Sequence, residues 1–339
     1  MLGFVFILAT VASVPQERLR RFEAVETHMG SSFKIILYSP DEATASRALR
    51  VGFARITALD LALSDYNPES ELMRLCDRAG GPAVAVGDDL FDVLSRSIAM
   101  AERSGGAFDP TIAPVVRLWR RARRDRKLPD PETLARARSL VGYRKVTLDA
   151  ARKTVRLDAG VKLDLGGIAK GYASQEAVRA IHREGVTRAL VAGAGDIAVG
   201  EPPPGASGWS VAVATLDEPG AGRSERTLLL RNAAVSTSGD SEQFVEIGGV
   251  RYSHVVDPKT GVGLTERCSV TVVAPDGATA DALDTAASIL GPDRGLKLVA
   301  SEPGADVLFV RRTARGIERF ESPGFEERVE PLRARSADR

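Results

Sequence analysis

The sequence predicts an α+β protein in which mixed sheets are flanked by helices. Segments with the apolar period of helices and segments rich in β-branched residues follow one another without the regular alternation of a βαβ fold. The chain has 339 residues, of which 44% are hydrophobic and 27% are charged, as in ordinary globular proteins. Its net charge of +1 gives no reason to expect a nucleic-acid partner.

The first residues form an apolar run that predicts an export signal. Leu2–Val14 carries no charged residue, is too short for a comfortable membrane span, and ends in small residues typical of a cleavage site. Residues 1–14 are therefore interpreted as an export signal or N-terminal anchor, and the protein as periplasmic or associated with the cell envelope. No Lys or Arg precedes the run, which leaves open that it is the first element of the fold. No Cys follows it, so a lipoprotein anchor is not expected.

Local patterns predict the elements between residues 22 and 325. Strands are expected where β-branched and aromatic residues dominate, and helices where apolar residues recur every three to four positions. The predicted strands are 33–39, a hairpin within 145–164, several short strands between 187 and 260, and the pair ADVLFVRR and GIERFE. The predicted helices are 41–63, one from Ser70, 89–104, one after Pro131, 171–184 and about 278–291. The Arg-rich segment 326–339 is expected to be a flexible tail.

Two features have a plain structural interpretation. The basic run RLWRRARRDRK at 117–127 would suit an anion or a membrane surface, but a solvated helix face is the commoner meaning and is favoured here. Cys76 and Cys268 lack the spacing of metal ligands. They are expected to be free, partly buried thiols, although pairing in an oxidising compartment stays open.

Two oxygen-rich motifs predict a metal site that handles a pyrophosphate. In ATADALDTAASILG (278–291), Asp281 and Thr285 lie four residues apart and hence on one helix face. A carboxylate and a hydroxyl form a partial shell for Mg²⁺, which completes its octahedron with water and phosphate oxygens. In LDLGGIAKGYA (163–173), glycines at the start of a helix allow close approach of an anion, and Lys170 supplies positive charge. Each motif alone also fits an ordinary helix.

Three further loops carry candidate contacts to a ligand. Tyr66 precedes a helix and offers a ring for stacking. The segment 104–119 is predicted to be a helix end followed by a loop. In it, Ala107 and Phe108 would form the floor for a flat ring, beside a turn at Asp109. His254 lies between a strand and a Pro/Gly turn and is the candidate base, because histidine titrates near neutral pH. The alternatives are a core tyrosine, a structural turn and a structural histidine.

Taken together, six segments resemble the ApbE family of FAD:protein FMN transferases. They are THMGSSF, LSDYNPESEL, GGAFDPTIAPVVRLW, LDLGGIAKGYA, STSGD with YSHVVDPKTG, and ATADALDTAASILG, in the order and rough spacing of that family. The resemblance spans about residues 22–325. It implies an ApbE-like flavin transferase fold with an FAD cleft between lobes. It also implies Mg²⁺-dependent transfer of FMN from FAD to a Thr hydroxyl of an acceptor protein through a phosphoester bond, with release of AMP.

Matching motif positions imply a set of site residues. The residues that look like FAD contacts are Met29, Tyr66, Ala107, Phe108, Asp109, Asp164, Lys170 and Val256. The metal ligands look like the backbone oxygen of Gly167 with Asp281 and Thr285. The implied acceptor is a subunit of a membrane redox complex. His254 remains the candidate for the catalytic base.

The sequence also departs from the family pattern. Ala194 in AGAGD (192–196) replaces a glycine, Ser241 follows TSGD where an aromatic residue is common, and Asp284 adds a carboxylate beside Asp281. Two other functions stay open at this point: an FAD pyrophosphatase that gives FMN and AMP, and a non-catalytic FAD-binding protein. Retention of Asp281 and Thr285 argues against the second, because a carrier needs no metal.

Overall fold

A computed structural model describes residues 18–214, 216, 225–239 and 244–330. The predicted export signal at 1–14, Ser241, and residues 331–339 of the predicted tail lie outside the described residues.

The described chain forms short and medium strands together with eight helices longer than a single 3₁₀ turn. The strands are β1 (Arg20–His28), β2 (Ser31–Ser39), β3 (Val84–Ala85), β4 (Val146–Asp149), β5 (Thr154–Leu157), β6 (Ala189–Gly193), β7 (Asp196–Val199), β8 (Trp209–Ala214), β9 (Glu225–Leu230), β10 (Ala233–Gly239), β11 (Phe244–Ile247), β12 (Val250–Ser253), β13 (Cys268–Ala274), β14 (Asp306–Thr313) and β15 (Gly316–Glu321). The helices are α1 (Glu42–Leu63), α2 (Glu71–Cys76), α3 (Asp88–Arg103), α4 (Ala113–Asp125), α5 (Pro131–Leu140), α6 (Ala169–Arg183), α7 (Gly277–Ala300) and α8 (Pro323–Glu327).

An eight-stranded sheet in the order β1-β2-β6-β7-β10-β13-β14-β15 organises the fold. Every pairing in it is antiparallel, as are those of the small sheets β3-β5-β4, β8-β9 and β11-β12. Hairpins join β1 to β2, β6 to β7 and β14 to β15, and the other neighbours are connected through inserted helices or small hairpins. The predicted α+β class is confirmed.

Both faces of the large sheet are covered, which explains why β13 is buried along its whole length. On β13, Val270 and Val272 pack into the main core with helices α1, α6 and α7. The next residue, Val273, points to the other face and packs with Trp209 and other residues of the β8–β9 hairpin. Because side chains alternate along a strand, a strand covered on both faces reads as a continuous apolar run.

A smaller apolar cluster joins α4 and α5 to the β11–β12 hairpin. The indole Nε1 of Trp119 donates a hydrogen bond to the backbone oxygen of Gly261 at 2.7 Å. The Trp119 ring lies 5.0 Å from the ring of Tyr252, and Val256 is buried in the same cluster. This packing fixes the basic helix α4 beside the loop that carries His254.

Most elements predicted from the sequence are present, and their ends coincide with capping side chains. Asp41 accepts a hydrogen bond from Thr44 N at the start of α1, and Ser70 accepts one from Met73 N at the start of α2. Three predictions need correction. Residues 113–119 belong to α4 rather than to a loop. The strand β1 was not predicted. The helix expected to end near 291 continues to Ala300 after a kink at Gly291, which adopts a φ of 74° before Pro292.

Residue 326 is too early as the predicted start of the flexible tail. Arg328 pairs with Asp306 at 2.7 Å, and the backbone of Arg328 and Glu330 bonds to the edge strand β9. Residues 326–330 are thus held against the sheet. Cys76 and Cys268 are both buried, where partial burial was expected, and neither forms a disulfide within the described residues. No helix within the described ranges has the length and apolarity needed to cross a membrane.

Candidate active site

A cavity of about 1700 Å³ lies between the large sheet and the cluster built on α4. Most of the residues singled out in the sequence line it, although they come from distant parts of the chain. They are Met29, Tyr66, Asp164, Gly167, Lys170, His254, Val256, Asp281 and Thr285. The structure therefore brings both oxygen-rich motifs, the candidate base and the candidate stacking tyrosine to one site.

Buried charges at the first turns of α6 and α7 dominate the floor of the cavity. Lys170 Nζ lies 2.9 Å from Asp196 Oδ2 and 3.9 Å from Asp281 Oδ2. Asp281 also accepts a hydrogen bond from Gly171 N at 3.0 Å. Burial, followed by the charge of Asp196, raises the pKa of the Asp281 carboxyl to about 7. Although burial alone would lower it, the pKa of Lys170 is raised by Asp196 and Asp281, so the lysine stays charged.

Asp284 is the second buried carboxyl of α7, with no exposed surface. Burial, and then the charges of Asp281 and Asp196, raises its pKa well above the usual range. Ser236 Oγ lies 2.5 Å from Asp284 Oδ2 and 2.6 Å from Asp196 Oδ1. One hydroxyl has one proton to donate, so the two contacts are both satisfied only if one carboxyl is itself protonated. Asp284 is the candidate for that proton, because its pKa is raised.

The oxygen atoms around Asp281 fit a hard divalent cation. A side chain on Gly167 would begin 2.9 Å from Thr285 Oγ1, so this glycine brings the backbone of the motif against the threonine. The donors there are a carboxylate, a hydroxyl and backbone oxygens, which Mg²⁺ prefers. Three buried carboxyls face one lysine, and a bound cation would offset that negative charge. Within the described residues, no group of three His, Cys, Asp or Glu has a metal-binding arrangement, so hydroxyl and backbone ligands are needed.

A second charged cluster in the cavity wall is centred on Arg120. Arg120 donates from Nη1 to Asp65 Oδ2 at 2.5 Å and from Nη2 to Asp164 Oδ2 at 2.9 Å. Its guanidinium carbon lies 4.2 Å from the ring centre of Tyr66, a cation–π distance. The other oxygen of Asp164 accepts from Gly166 N at 2.8 Å, so the aspartate is held at both ends. Burial and the neighbouring charge of Asp65 raise the pKa of Asp164 despite Arg120.

Tyr66 is 71% exposed at this wall, which leaves one ring face free for a flat ligand. The alternative of a core tyrosine is thereby excluded. Met29, another residue of the cavity wall, occupies the two-residue turn between β1 and β2 with a φ of 51°. This left-handed conformation usually belongs to Asn or Gly, and the Met29 amide donates to Asp60 Oδ2 at 2.9 Å. Asp60 therefore fixes a turn that aims a methionine at the cavity.

The structure does not bring Ala107, Phe108 and Asp109 to the cavity wall. All three are buried, and Asp109 accepts hydrogen bonds from Thr111 and from Tyr143 N. Phe108 lies directly behind Gly167, 3.3 Å from the position that a side chain there would take. The physical reason is that the turn packs the GGAFDPT motif beneath the glycine loop. These residues support the loop from below, and a direct FAD contact by their side chains stays a prediction.

Sequence reasoning missed several residues of the site. Asp196 and Ser236 complete the buried cluster, and Arg120 belongs to the basic run that was interpreted as a solvated face. Asp196 stands at the end of the AGAGD segment, where the turn chemistry offered a signal. Ser236 begins the STSGD motif, but only the pairing of β7 with β10 shows that it lies opposite Asp196.

With this geometry in view, the class of protein is clear. The model of the ApbE family matches residues 29–309, and the chain belongs to this family.

Relatives and solved structures extend the match over nearly the whole chain. An FAD:protein FMN transferase of Treponema pallidum is 34% identical over 335 residues, covering 94% of this chain and 91% of the relative. A Klebsiella pneumoniae protein of the same name is 30% identical, covering 88% of this chain and 86% of the relative. The ApbE protein of Thermotoga maritima superposes with a TM-score of 0.80 at 30% identity, covering 92% of this chain and 100% of that structure. The flavin transferase ApbE of Vibrio cholerae gives 0.83 at 25% identity, covering 91% and 99%.

Proposed function

We propose that this protein transfers the FMN part of FAD to a threonine hydroxyl of an acceptor protein, with Mg²⁺ at the Asp281–Thr285 face of α7. That it is a flavin transferase follows from its family. The observation that carries the finer proposal is the convergence, in one cavity, of a stacking ring, a partly buried lysine and an oxygen-only ligand set.

The reaction needs two substrates and one bond exchange. The threonine oxygen forms a bond to the phosphorus on the FMN side of FAD, and the bond from that phosphorus to the bridging oxygen breaks. AMP leaves with the bridging oxygen, and the threonine proton passes to a base. A metal bound to Gly167, Asp281 and Thr285 would withdraw charge from the pyrophosphate and thereby favour loss of AMP.

Side chains of the cavity are proposed to bind the phosphates, to contact the rings and to accept the threonine proton. Lys170 is held charged by Asp196 and offsets phosphate charge near the metal face. Tyr66 and Met29 both line the cavity and provide apolar surface for the flavin or adenine ring. His254 lines the same cavity and is the proposed base for the threonine proton.

Co-expression with an acceptor tests the function directly. The acceptor should gain the mass of FMN on a threonine, and one AMP should appear for each FMN transferred. The matched Asp281→Asn enzyme should leave the acceptor unmodified. Release of FMN and AMP in the same amounts with and without acceptor, and no modified threonine, would instead assign the FAD pyrophosphatase activity.

The site of action is also a proposal. The apolar run Leu2–Val14 supports export to the periplasm or cell envelope, where a subunit of a membrane redox complex would be the acceptor. N-terminal sequencing of the protein from fractionated cells tests this. A mature chain that starts after about residue 12 supports export, whereas an intact Met1 in the cytosolic fraction contradicts it.

A further inference from the structure

The arginines of α4 are a charged feature for which the flavin chemistry leaves no role. Residues 117–127 contain seven basic residues and one acidic residue, whereas the net charge of the whole chain is only +1. Arg120, Arg123 and Arg124 line the cavity. Arg120 is neutralised by Asp65 and Asp164. Arg123 is half-buried and has no hydrogen bond or carboxylate partner in the part of the chain that the structure describes.

The position of these side chains decides between possible anions. Arg123 and Arg124 lie one turn beyond Arg120, at the end of the cavity wall where Arg124 is exposed to solvent. The ion pair of Arg124 with its neighbour Asp125 is exposed and therefore weak. Within the same cavity, Lys170 on α6 already supplies a cation for the proposed pyrophosphate, beside the proposed metal ligand Asp281.

We propose that Arg123 and Arg124 bind acidic residues that flank the threonine of the acceptor protein. The proposal rests on the proposed function, because it assigns the second substrate to this end of the same cavity. An acidic segment complements an unpaired arginine and an excess of positive charge, and it would guide the threonine toward the phosphorus. Opposite charges at a partly exposed rim chiefly set partner choice and association rate.

The test compares two charge reversals on one helix. Arg123→Glu changes the cavity wall. Arg121→Glu is the matched control, because Arg121 is exposed, lies outside the wall and is about 200° round the helix from Arg123.

The probes are a fluorescent peptide with one threonine flanked by aspartates and a matched peptide with asparagines. The wild type should prefer the aspartate peptide. Arg123→Glu should weaken that peptide about tenfold and the asparagine peptide little, and Arg121→Glu should preserve the preference. The preference should also shrink at high salt.

The other outcomes overturn the proposal in identifiable ways. Equal binding of both peptides by the wild type means that acidic residues are not recognised. Equal losses in the two variants mean that only the overall charge matters. A loss of FAD affinity in Arg123→Glu that matches the loss for the peptide assigns the arginine to FAD. Loss of binding to anionic lipid vesicles with unchanged peptide binding assigns it to a membrane. If the wild type keeps the peptide preference but transfers no FMN, the docking site stands and the proposed function fails.

Discussion

At the scale of single residues, Asp281 combines a metal-ligand position with a buried environment that disfavours its charge. Its carboxylate is 3% exposed, and it faces Asp196 with only Lys170 to compensate. A buried carboxylate is costly unless a positive charge compensates it. The environment of Asp281 therefore favours binding of a cation.

Replacing Asp281 with asparagine should therefore abolish metal-dependent transfer while the fold is kept. The amide preserves the shape and can still accept the hydrogen bond from Gly171 N. Turnover measured against Mg²⁺ concentration checks this, with Asp293→Asn, an exposed position of the same helix, as the matched control. Unchanged turnover with unchanged Mg²⁺ dependence would remove Asp281 from the metal site.

His254 should matter for proton transfer more than for binding. His254→Ala is expected to lower the transfer rate at saturating FAD about 10²- to 10⁴-fold, the usual range for general acid–base catalysis. FAD affinity should change little, since the ring contacts and the charged cluster lie on other elements. The exposed His182 of α6 supplies the control, because His182→Ala should leave the rate unaltered. If FAD binding is lost while the rate per bound FAD is preserved, His254 is a ligand contact, and Asp164, which lines the same cavity, becomes the candidate base.

At the scale of elements, the turn between β6 and β7 shows how a departure from the family pattern is accommodated. Ala194 adopts a φ of 55°, in the left-handed region that costs a residue with a side chain about 1–2 kcal/mol. The next residue, Gly195, has no room for a side chain, because a Cβ atom there would lie 2.7 Å from the backbone oxygen of Thr237. The turn therefore keeps its geometry and positions Asp196 despite the alanine.

Ala194→Gly should consequently stabilise the protein. The relief of strain exceeds the extra entropy of glycine in the unfolded chain, which leaves a gain of roughly 0.5 kcal/mol. Thermal or denaturant unfolding measures this. Gly195→Ala is the contrasting variant and should destabilise through its contact with Thr237. A lower stability of Ala194→Gly would show that the alanine methyl contributes packing that outweighs its strain.

The elements also show what the sequence can and cannot predict. Helices α1 and α2 begin where Asp41 and Ser70 cap them, and such local signals are readable along the chain. Helix α4 was read partly as a loop, since its Pro114 and dense charge obscure the apolar face that Trp119 buries. Cap residues act over a few positions, so these elements and their approximate ends were accessible without a structure.

At the scale of the whole molecule, the site depends on contacts that no local pattern encodes. The motif residues Asp281 and Lys170 stood out because of their spacing and their glycine neighbours. Ser236 lies in the quoted STSGD motif, but its role was not predicted, because it meets Asp196 and Asp284 only through the packing of β7, β10 and α7. Arg120 was predicted to lie on a solvated helix face, because no local pattern shows that Asp65 and Asp164 both bind it.

The buried carboxyls should also tie the stability of the whole protein to pH and to metal. The folded pKa of Asp281, about 7, exceeds the ordinary value of 3.8, so between these values the folded state binds more protons than the unfolded state. Without metal, the free energy of unfolding should therefore fall as pH rises from about 4 to 7, and the contribution of this group should level off above 7. Mg²⁺ binds the carboxylate and competes with the proton, so it should raise the unfolding temperature more at pH 8 than at pH 5.5. Differential scanning fluorimetry with and without Mg²⁺ measures both trends.

Two variants test whether Asp281 is responsible. In Asp281→Asn the Mg²⁺ effect should vanish, and the stability of the metal-free protein should lose much of its dependence on pH. Asp293→Asn should behave as the wild type. A Mg²⁺ stabilisation of equal size at both pH values, or one that persists in Asp281→Asn, would place the cation elsewhere.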